Sequence, residues 1–288
     1  DSSALAVYIL SRETRKKVTV ALSGDGADEL FSGYNKHKAE YIMRHPSAAG
    51  SIINNLGFLW KNLPQSRNSS IGNKIRQFDK FSSAAKLSSS ERYWSWAGLM
   101  NEESAKEFLK VSFEQSLYQA EKGKLLQGFS KNGDFNEVLL ADMNMVLPGD
   151  MLTKVDRMSM ANSLEVRVPF LDHELVNFVF SLPEEYKICS THRKRILQDT
   201  FKDILPERLY KRPKHGFEVP LLSWFRSDLK SMINNDLLSK EFIVKQGIFN
   251  PEKIEQLKAK LNSSSPQDAT AHIWGLIVFQ YWWKKWIN

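Results

Sequence analysis

Three carboxylates stand close together in the sequence, directly after a short apolar run. Residues 18–22 predict a buried strand, which stops at the glycine turn of residues 23–26. Asp25, Asp28 and Glu29 lie in or just after this turn, where a helical pattern begins. Unpaired backbone N–H groups at a helix N-terminus favour an anion, but three carboxylates repel a phosphate unless a hard cation lies between them. The sequence therefore predicts a Mg²⁺–phosphate site, because Mg²⁺ prefers a few carboxylates together with phosphate oxygens.

The same turn has a simpler interpretation as a solvated loop in which Asp28 or Glu29 caps the following helix. That interpretation accounts for Gly24, Gly26 and one carboxylate, but not for three carboxylates beside a buried strand. The residues present exclude two other phosphate motifs. No Gly-Lys-Ser/Thr follows, so the turn is not a Walker A loop, and Glu29 stands where a Rossmann fingerprint has its third glycine.

A second group of charged residues lies within residues 152–172. Lys154 and Asp156 are close together in a helical pattern, and they are candidates for binding a zwitterionic or dicarboxylate substrate. Glu165 and Arg167 interrupt an apolar, strand-like run. Because charges embedded in apolar sequence usually pair when they are buried, we predict a structural ion pair between these two.

A third group is the basic stretch of residues 211–220, in which Pro213 and Gly216 predict a loop. Its cationic side chains suit contact with phosphate. Lys214 is the candidate of most interest, on the condition that this loop folds over the acidic turn. A lysine on a loop is otherwise an ordinary solvated residue.

The elements that must position these groups form an α–β–α fragment, which is typical of a layered α/β sheet. An amphipathic pattern over residues 4–15 predicts a helix before the strand. The chain then changes character, and helical periodicity separated by Ser, Asn, Gly and Pro clusters continues to the C-terminus. Two of these clusters, at residues 88–91 and 101–103, are typical of helix starts. The main predicted helices cover residues 47–63, 70–82, 90–99, 104–118, 135–146 and 270–286. The aromatic stripe of the last of these predicts a face that packs in the core.

Composition sets the outer limits. The 288 residues carry a formal net charge of +7, which allows anionic partners such as ATP or nucleic acid, although a lysine-rich surface is the simpler explanation. Cys189 is the single cysteine, so no internal disulfide can form and a reducing compartment is expected. The six histidines have no metal-ligand spacing. No apolar run approaches the roughly 18 residues of a membrane-spanning helix, so we predict no membrane partner.

The three groups together resemble the synthetase domain of the glutamine-hydrolysing asparagine synthetases. Residues 22–34, Leu-Ser-Gly-Asp-Gly-Ala-Asp-Glu-Leu-Phe-Ser-Gly-Tyr, are similar to the family's second nucleotide-site motif. Residues 155–172 resemble its central motif, and residues 214–220, Lys-x-Gly-Phe-x-x-Pro, resemble its late lysine loop. The resemblance implies an α/β fold, a remnant of an adenine-nucleotide α-hydrolase-like (PP-loop ATP pyrophosphatase) layered domain that is predominantly helical here.

The resemblance also implies a mechanism. A carboxylate, that of aspartate in asparagine synthetase, attacks the α-phosphorus of Mg·ATP and expels pyrophosphate, and ammonia from a glutaminase domain then attacks the acyl-adenylate. By motif, Ser23 and Gly24 would contact the nucleotide. Asp28 would hold Mg²⁺–pyrophosphate, and Glu29 would support it.

Other residues acquire roles from the same resemblance. Asp25 occupies the position where the family has an acidic residue near the reacting carboxylate. Lys214 would neutralise pyrophosphate or the charge that develops at phosphorus, which is an electrostatic role. Lys154 and Asp156 are weaker candidates for the substrate site.

Two family features are missing from the sequence, namely the Ser-Gly-Gly-x-Asp-Ser pyrophosphate loop and the glutaminase domain. We therefore expect a C-terminal piece of a longer, cytoplasmic protein that binds ATP poorly and makes no product alone. Residues 1–40 would be the remnant of the nucleotide-binding core, and residues 41–288 the mainly helical part of the same domain. A homodimer is compatible with this picture, and the acceptor substrate is left open.

Three alternatives are kept. A relative with the same adenylating chemistry could act on another acceptor, as in a cyclising, β-lactam-synthetase-like amidoligase, and a tyrosine–glutamate pair in the acceptor site would favour it. An RNA-modifying adenylating enzyme would need an RNA-binding appendage, and neither an arginine-rich stripe nor a zinc ribbon is present, so we predict no nucleic-acid partner. A non-catalytic helical interaction module is the third alternative.

Overall fold

Residues 1–46, 48–66, 69–130, 133–211 and 219–287 are described by the computed structural model. Among them, none of the helices combines the length and the apolar character that crossing a membrane requires. The described part of the chain is mostly helical, with two short strands, β1 (Val20–Leu22) and β2 (Glu165–Arg167).

The α-helices are numbered in chain order, and short π-helical segments (Leu147–Leu152 and Met232–Leu237) and 3₁₀ segments (Pro169–Leu171 and Glu184–Tyr186) lie between some of them. Their bounds are α1 (Ala4–Arg15), α2 (Ala27–Leu30), α3 (Asn35–Arg44), α4 (Ala48–Asn55), α5 (Gly57–Asn62), α6 (Ser70–Ala84), α7 (Ser89–Ala97), α8 (Glu102–Phe108), α9 (Gln115–Leu125), α10 (Asn136–Asn144), α11 (Thr153–Met160), α12 (His173–Ser181), α13 (Arg195–Phe201), α14 (Arg208–Lys211), α15 (Leu221–Arg226), α16 (Lys240–Gln246), α17 (Pro251–Asn262) and α18 (Ala269–Trp286).

The two strands pair in parallel, with Ala21 opposite Val166 at the centre of the register. The strand predicted over residues 18–22 is confirmed, but its predicted burial is wrong, because Leu22 is 72% exposed. A strand with a single neighbour in a two-stranded sheet has few elements to cover its side chains. The predicted ion pair between Glu165 and Arg167 is present at 2.7 Å, and it is exposed for the same reason.

The described residues divide into two compact units. The first contains Asp1–Ser47 and Leu117–Val219, and the second contains Ala48–Ser116 and Pro220–Asn288. The sequence-based boundary at residue 40 does not coincide with this division. Pairing of β1 with β2, together with packing of α1 on α11, joins the N-terminal fragment to the middle of the chain.

The core of the first unit is built where α2 packs against α12. Ala27, Leu30 and Phe31 are buried there together with Val179. The ring of Phe31 meets that of Phe170 edge-on, with 6.0 Å between centroids. The helix that follows the acidic turn is therefore held by apolar packing on its inner face, which fixes where its acidic residues stand.

In the second unit, local helix signals were the most informative part of the sequence. The Ser and Asn clusters before α7 and α8 begin helices as predicted, since the side chains of Ser88 and Asn101 accept hydrogen bonds from the first turns. The helix predicted over residues 104–118 is wrong. The chain leaves the helix at Leu109, which forms an antiparallel bridge with Phe249, so a distant partner overrides the local periodicity.

The last helix, α18, was predicted over residues 270–286 and is observed over Ala269–Trp286. Its buried face is formed by Ile273, Ile277 and neighbouring residues. The aromatic stripe packs only in part, because Phe279 meets the ring of Phe249 edge-on while Trp282 and Trp286 are 48% and 66% exposed.

Lys187, in the first unit, is an unusual buried cation. The residue is fully buried, and its Nζ donates to Asn136 Oδ1 at 2.5 Å and lies 5.2 Å from the Phe180 ring centroid. Burial lowers the pKa of Lys187 to about 8, and the charge of Asp134 only partly opposes this effect. The folded protein therefore binds the proton of this ammonium group less tightly than the unfolded chain does.

This shift predicts a pH dependence of stability. The folded pKa lies below the value in the unfolded chain, so the penalty is complete below about pH 8 and disappears as the pH rises toward 10.5. The free energy of unfolding of the wild type should increase relative to Lys187→Met by roughly 1–3 kcal/mol between pH 7 and pH 10. Urea unfolding at both pH values measures it, with exposed Lys202→Met as the matched control. An unchanged difference between wild type and Lys187→Met would refute the assignment.

Candidate functional site

The acidic turn begins where β1 ends. Ser23 N–H donates to Arg167 O at 2.8 Å, so the pairing with β2 continues into the first residue of the turn. Gly26 has φ +89°, and a Cβ at Gly26 would lie 2.3 Å from Leu171 Cδ2. Arg167 and Leu171, from the charged stretch of residues 152–172, therefore shape the turn. At position 26 only glycine fits both the left-handed backbone and the close contact with Leu171.

The helix after the turn, α2, is a single turn long. It starts at Ala27 as predicted and ends at Leu30, and Ser32 then adopts a left-handed conformation with φ 64°. A single helical turn sums few peptide dipoles. The attraction for an anion that we expected from a helix N-terminus is correspondingly small here.

The three carboxylates of the turn do not converge on one point. Asp25 accepts from the hydroxyl of Ser23, while Asp28 pairs with Lys194 Nζ at 2.8 Å. Glu29 lies in the interior, where its Oε1 accepts a hydrogen bond from the phenol of Tyr34. Among the described residues, no group of three His, Cys, Asp or Glu side chains is arranged to hold a metal ion. Each acid has a separate partner instead, and of these three partners only Lys194 carries a charge.

Glu29 and Tyr34 form a buried pair, with 2.6 Å between the phenol oxygen and Oε1. Burial raises the pKa of the Glu29 carboxyl, against the effect of the Tyr34 hydrogen bond. Burial and the adjacent Glu29 raise the pKa of Tyr34 as well, so the phenol stays protonated and donates. This pair holds the end of α2 to the start of α3, and it has no proton-accepting phenolate to offer.

Behind this pair lies a second buried group. His37 Nε2 is 2.7 Å from Asp142 Oδ2, and Lys36 Nζ also pairs with that carboxylate. Tyr34 N–H donates to His37 Nδ1 at 3.4 Å, which assigns the ring proton to Nε2. Burial lowers the pKa of His37. Burial opposes ionisation of Asp142, but the bonds from His37 and Lys36 hold its pKa below the usual range.

Lys194, the partner of Asp28, is held in place from two directions. Its backbone N–H donates to Phe31 O at 3.0 Å, and its Nζ contacts Asp28. Its φ of 53° is left-handed, a conformation that costs a residue with a side chain about 1–3 kcal/mol. A Cβ at Gly33 would lie 1.6 Å from Asp28 Oδ1, so the ion pair rests directly against the glycine backbone.

The other candidate residues lie on α11 or outside the described chain. Lys154 is largely buried and pairs with Asp1 Oδ2 at 2.8 Å, rather than with a carboxylate of the acidic turn. Asp156 is exposed on the same helix. Lys214, the candidate cation of the late loop, lies outside the described residues.

Comparison with known proteins adds the family. A family model described as asparagine synthase matches residues 1–284. The chain belongs to the asparagine synthase family. The match includes the acidic turn, the β2 region and the late lysine loop.

Individual relatives agree with this membership. The chain is 28% identical over 286 residues to the glutamine-hydrolyzing asparagine synthetase 1 of Bacillus subtilis (strain 168), covering 98% of the chain and 43% of that protein. It is 32% identical over 230 residues to a putative glutamine-hydrolyzing asparagine synthetase of Mycobacterium bovis, covering 79% of the chain and 34% of that protein. The chain spans less than half of the length of these relatives.

Several residues that surround the turn of this asparagine synthase family member are not evident from the sequence. Lys194, His37 and Asp142 were not singled out, although each pairs with, or lies behind, an acidic residue of the motif. The only available signal for Lys194 was its place in a basic run, residues 192–195. Nothing in that run indicates which of its cations reaches Asp28.

The two turn glycines provide a matched test of this geometry. Gly26→Ala should lower the free energy of unfolding by about 1–3 kcal/mol, because the left-handed backbone is strained and Leu171 must move. Gly24→Ala should stay within about 1 kcal/mol of the wild type, since a Cβ there meets nothing within 4 Å. Urea unfolding of both variants measures the difference. Equal effects at the two positions would contradict the described turn.

Proposed function

We propose that this chain is part of an ATP-dependent asparagine synthetase. In the proposed reaction, the β-carboxylate of aspartate attacks the α-phosphorus of ATP and pyrophosphate leaves. Ammonia derived from glutamine then attacks the resulting β-aspartyl-AMP, and AMP leaves as asparagine forms. The protein would thus be a carbon–nitrogen ligase, a cytoplasmic biosynthetic enzyme with aspartate, ATP and ammonia as its substrates.

One observation carries the proposal. Asp28 stands at the end of a parallel strand pair, in a turn that β2 and Leu171 shape, and an ammonium group 2.8 Å away neutralises it. A partly exposed carboxylate in such a turn is suited to a cation-bound pyrophosphate. Membership of the asparagine synthase family, whose model covers all three motifs, supports the same assignment.

The fit to Mg²⁺ rests on the donors available. One or two carboxylates plus phosphate oxygens are enough for Mg²⁺, which keeps several water ligands. Asp28 would be the protein ligand. Glu29 is buried and committed to Tyr34, so it would support the turn rather than bind the ion. Bound Mg²⁺ would neutralise charge on the phosphates.

The remaining roles follow from position in the turn. Gly24 leaves open space on its Cα, so the backbone of Ser23 and Gly24 can be approached closely by a nucleotide. Asp25, held by the Ser23 hydroxyl, would stand near the reacting carboxylate of the acceptor. Lys214 would stabilise the negative charge that develops as pyrophosphate leaves.

Lys154 and Asp156 are proposed as contacts of the acceptor substrate. The ammonium group of Lys154 already binds one carboxylate, that of Asp1. The acceptor substrate would present a carboxylate of the same kind. A glutaminase domain elsewhere in the protein would supply the ammonia, and a homodimer is the assembly we propose.

A tyrosine–glutamate pair in the acceptor site would favour the alternative of a cyclising amidoligase. The pair present, Tyr34 and Glu29, faces the interior, and both of its pKa values are raised by burial. Glu29 is 1% exposed and the phenol of Tyr34 keeps its proton, so neither group is placed to take a proton from a substrate. The pair therefore gives no support to the cyclising reaction.

The proposal is tested with inorganic pyrophosphate and Mg²⁺ in isothermal titration calorimetry. Asp28→Asn should weaken binding at least about tenfold. Replacing even a residue that only hydrogen-bonds to a metal ligand typically lowers metal affinity about 10–100-fold, and Asp28 is proposed as a direct ligand. Asp203→Asn, an exposed acid of the same unit, should bind as the wild type does. Wild-type affinity in Asp28→Asn would overturn the assignment. We also expect no ATP-dependent pyrophosphate release from these 288 residues alone, since they contain no Ser-Gly-Gly-x-Asp-Ser loop.

A further inference from the structure

A short hairpin brings two cations to the acidic turn from a distant part of the first unit. Ile188 and Arg193 form an antiparallel bridge, and Cys189 N–H donates to His192 O at 3.0 Å. The hairpin ends at Arg193, and Lys194 follows as the residue that precedes α13. Two adjacent basic residues are thus delivered together.

The first of them, Arg193, contacts Asn35 at the start of α3 and interacts with Asp28 electrostatically. Its Nη1 donates to Asn35 Oδ1 at 2.6 Å. Burial lowers the pKa of Arg193, and the negative charge of Asp28 opposes that shift, so the two groups interact electrostatically. Asp28 is therefore in direct contact with Lys194 and in weaker electrostatic interaction with Arg193.

Charges of both signs lie around Asp28, and they differ in how they are partnered. Asp142 is paired with Lys36 and His37, Glu29 is bonded to the neutral phenol of Tyr34, and Asp28 has the ammonium group of Lys194. The side chains of Lys194 and Asp28 are 32% and 26% exposed, so a ligand from solvent can reach both. A phosphate that reaches the ammonium group of Lys194 can form a charge-assisted hydrogen bond with it.

The ion pair itself is suited to exchange. A partly exposed lysine–aspartate pair contributes little net stability, because solvent competes for both charges. Replacing it with a metal–carboxylate contact and an ammonium–phosphate contact would satisfy both groups again. The backbone N–H of Lys194, bonded to Phe31 O, would keep its side chain at the site during the exchange.

We propose that Lys194 is a phosphate-contacting residue of the pyrophosphate site, pairing with Asp28 in the free protein and with a phosphate oxygen when Mg²⁺–pyrophosphate is bound. The inference rests on the proposed function. It assigns to the site a cation from the hairpin after α12, in a segment separate from the late loop that carries Lys214.

The test measures Mg²⁺–pyrophosphate affinity by calorimetry in three variants of the 288-residue chain. Lys194→Met should weaken binding at least about tenfold, which corresponds to about 1.4 kcal/mol, while Lys194→Arg keeps the charge and should stay within about threefold. Lys202→Met, an exposed lysine at the end of α13, is the matched control and should bind normally.

A second readout does not depend on the variants folding. Reductive methylation of the wild-type chain, followed by mass spectrometry, reports the accessibility of each lysine amine. Mg²⁺–pyrophosphate should slow the labelling of Lys194 and leave Lys202 unchanged. A purely structural Lys194–Asp28 pair would instead be opened by ligand, so labelling of Lys194 would increase.

The outcomes separate the two proposals. If Asp28→Asn loses binding and Lys194→Met does not, the role of Lys194 is wrong and the proposed function stands. If the wild-type chain binds no Mg²⁺–pyrophosphate, both are overturned. If Lys194→Met does not fold, Lys194→Arg and the labelling decide, and labelling of Lys194 that rises or stays constant with ligand rejects the inference.

Discussion

Backbone pairing between β1 and β2 is the constraint on which the candidate site depends. It joins two motifs that lie more than 140 positions apart, with Val20 opposite Glu165 and Leu22 opposite Arg167. The last hydrogen bond, from Ser23 N–H to Arg167 O, fixes the point at which the strand becomes the turn. A parallel pair offers one side of its C-terminal edge for a ligand, and the acidic turn occupies that edge. Packing of α2 on α12 then determines the direction in which the chain leaves.

The three carboxylates of the turn each have a different partner, and the sequence alone does not reveal this. Three acids in five positions suggest mutual repulsion that one shared cation relieves. The fold relieves it differently, giving Asp25 a hydroxyl, Asp28 an ammonium group and Glu29 a phenol. Separate partners let the acids differ in pKa and exposure. Within the described part of the chain, Asp28 is the one of the three with a charged, exchangeable partner, so it is the acid best suited to a metal-bound ligand, and Glu29 becomes part of the scaffold.

The features that the sequence predicted well are those decided locally. Helix starts at Ser88 and Asn101 were predicted because a capping side chain acts within three residues. The exposure of Leu22 and the end of α8 before Leu109 were not, since each depends on a strand partner distant in sequence. Neither hydrophobic periodicity nor residue propensity predicts that Lys194 pairs with Asp28. It requires a left-handed lysine, which no residue preference would suggest.

The early end of α2 connects these observations. Because the helix stops at Leu30, two carbonyls that a longer helix would use internally become acceptors for other donors. Asp28 O accepts from Gly33 N–H at 2.8 Å, and Phe31 O accepts from Lys194 N–H at 3.0 Å. The break that reduces the helix dipole at the turn therefore provides the attachment point for a side-chain cation. A full positive charge next to Asp28 replaces the partial charge that a longer helix would have supplied there. Unlike a dipole, a lysine side chain can move from a carboxylate to a phosphate.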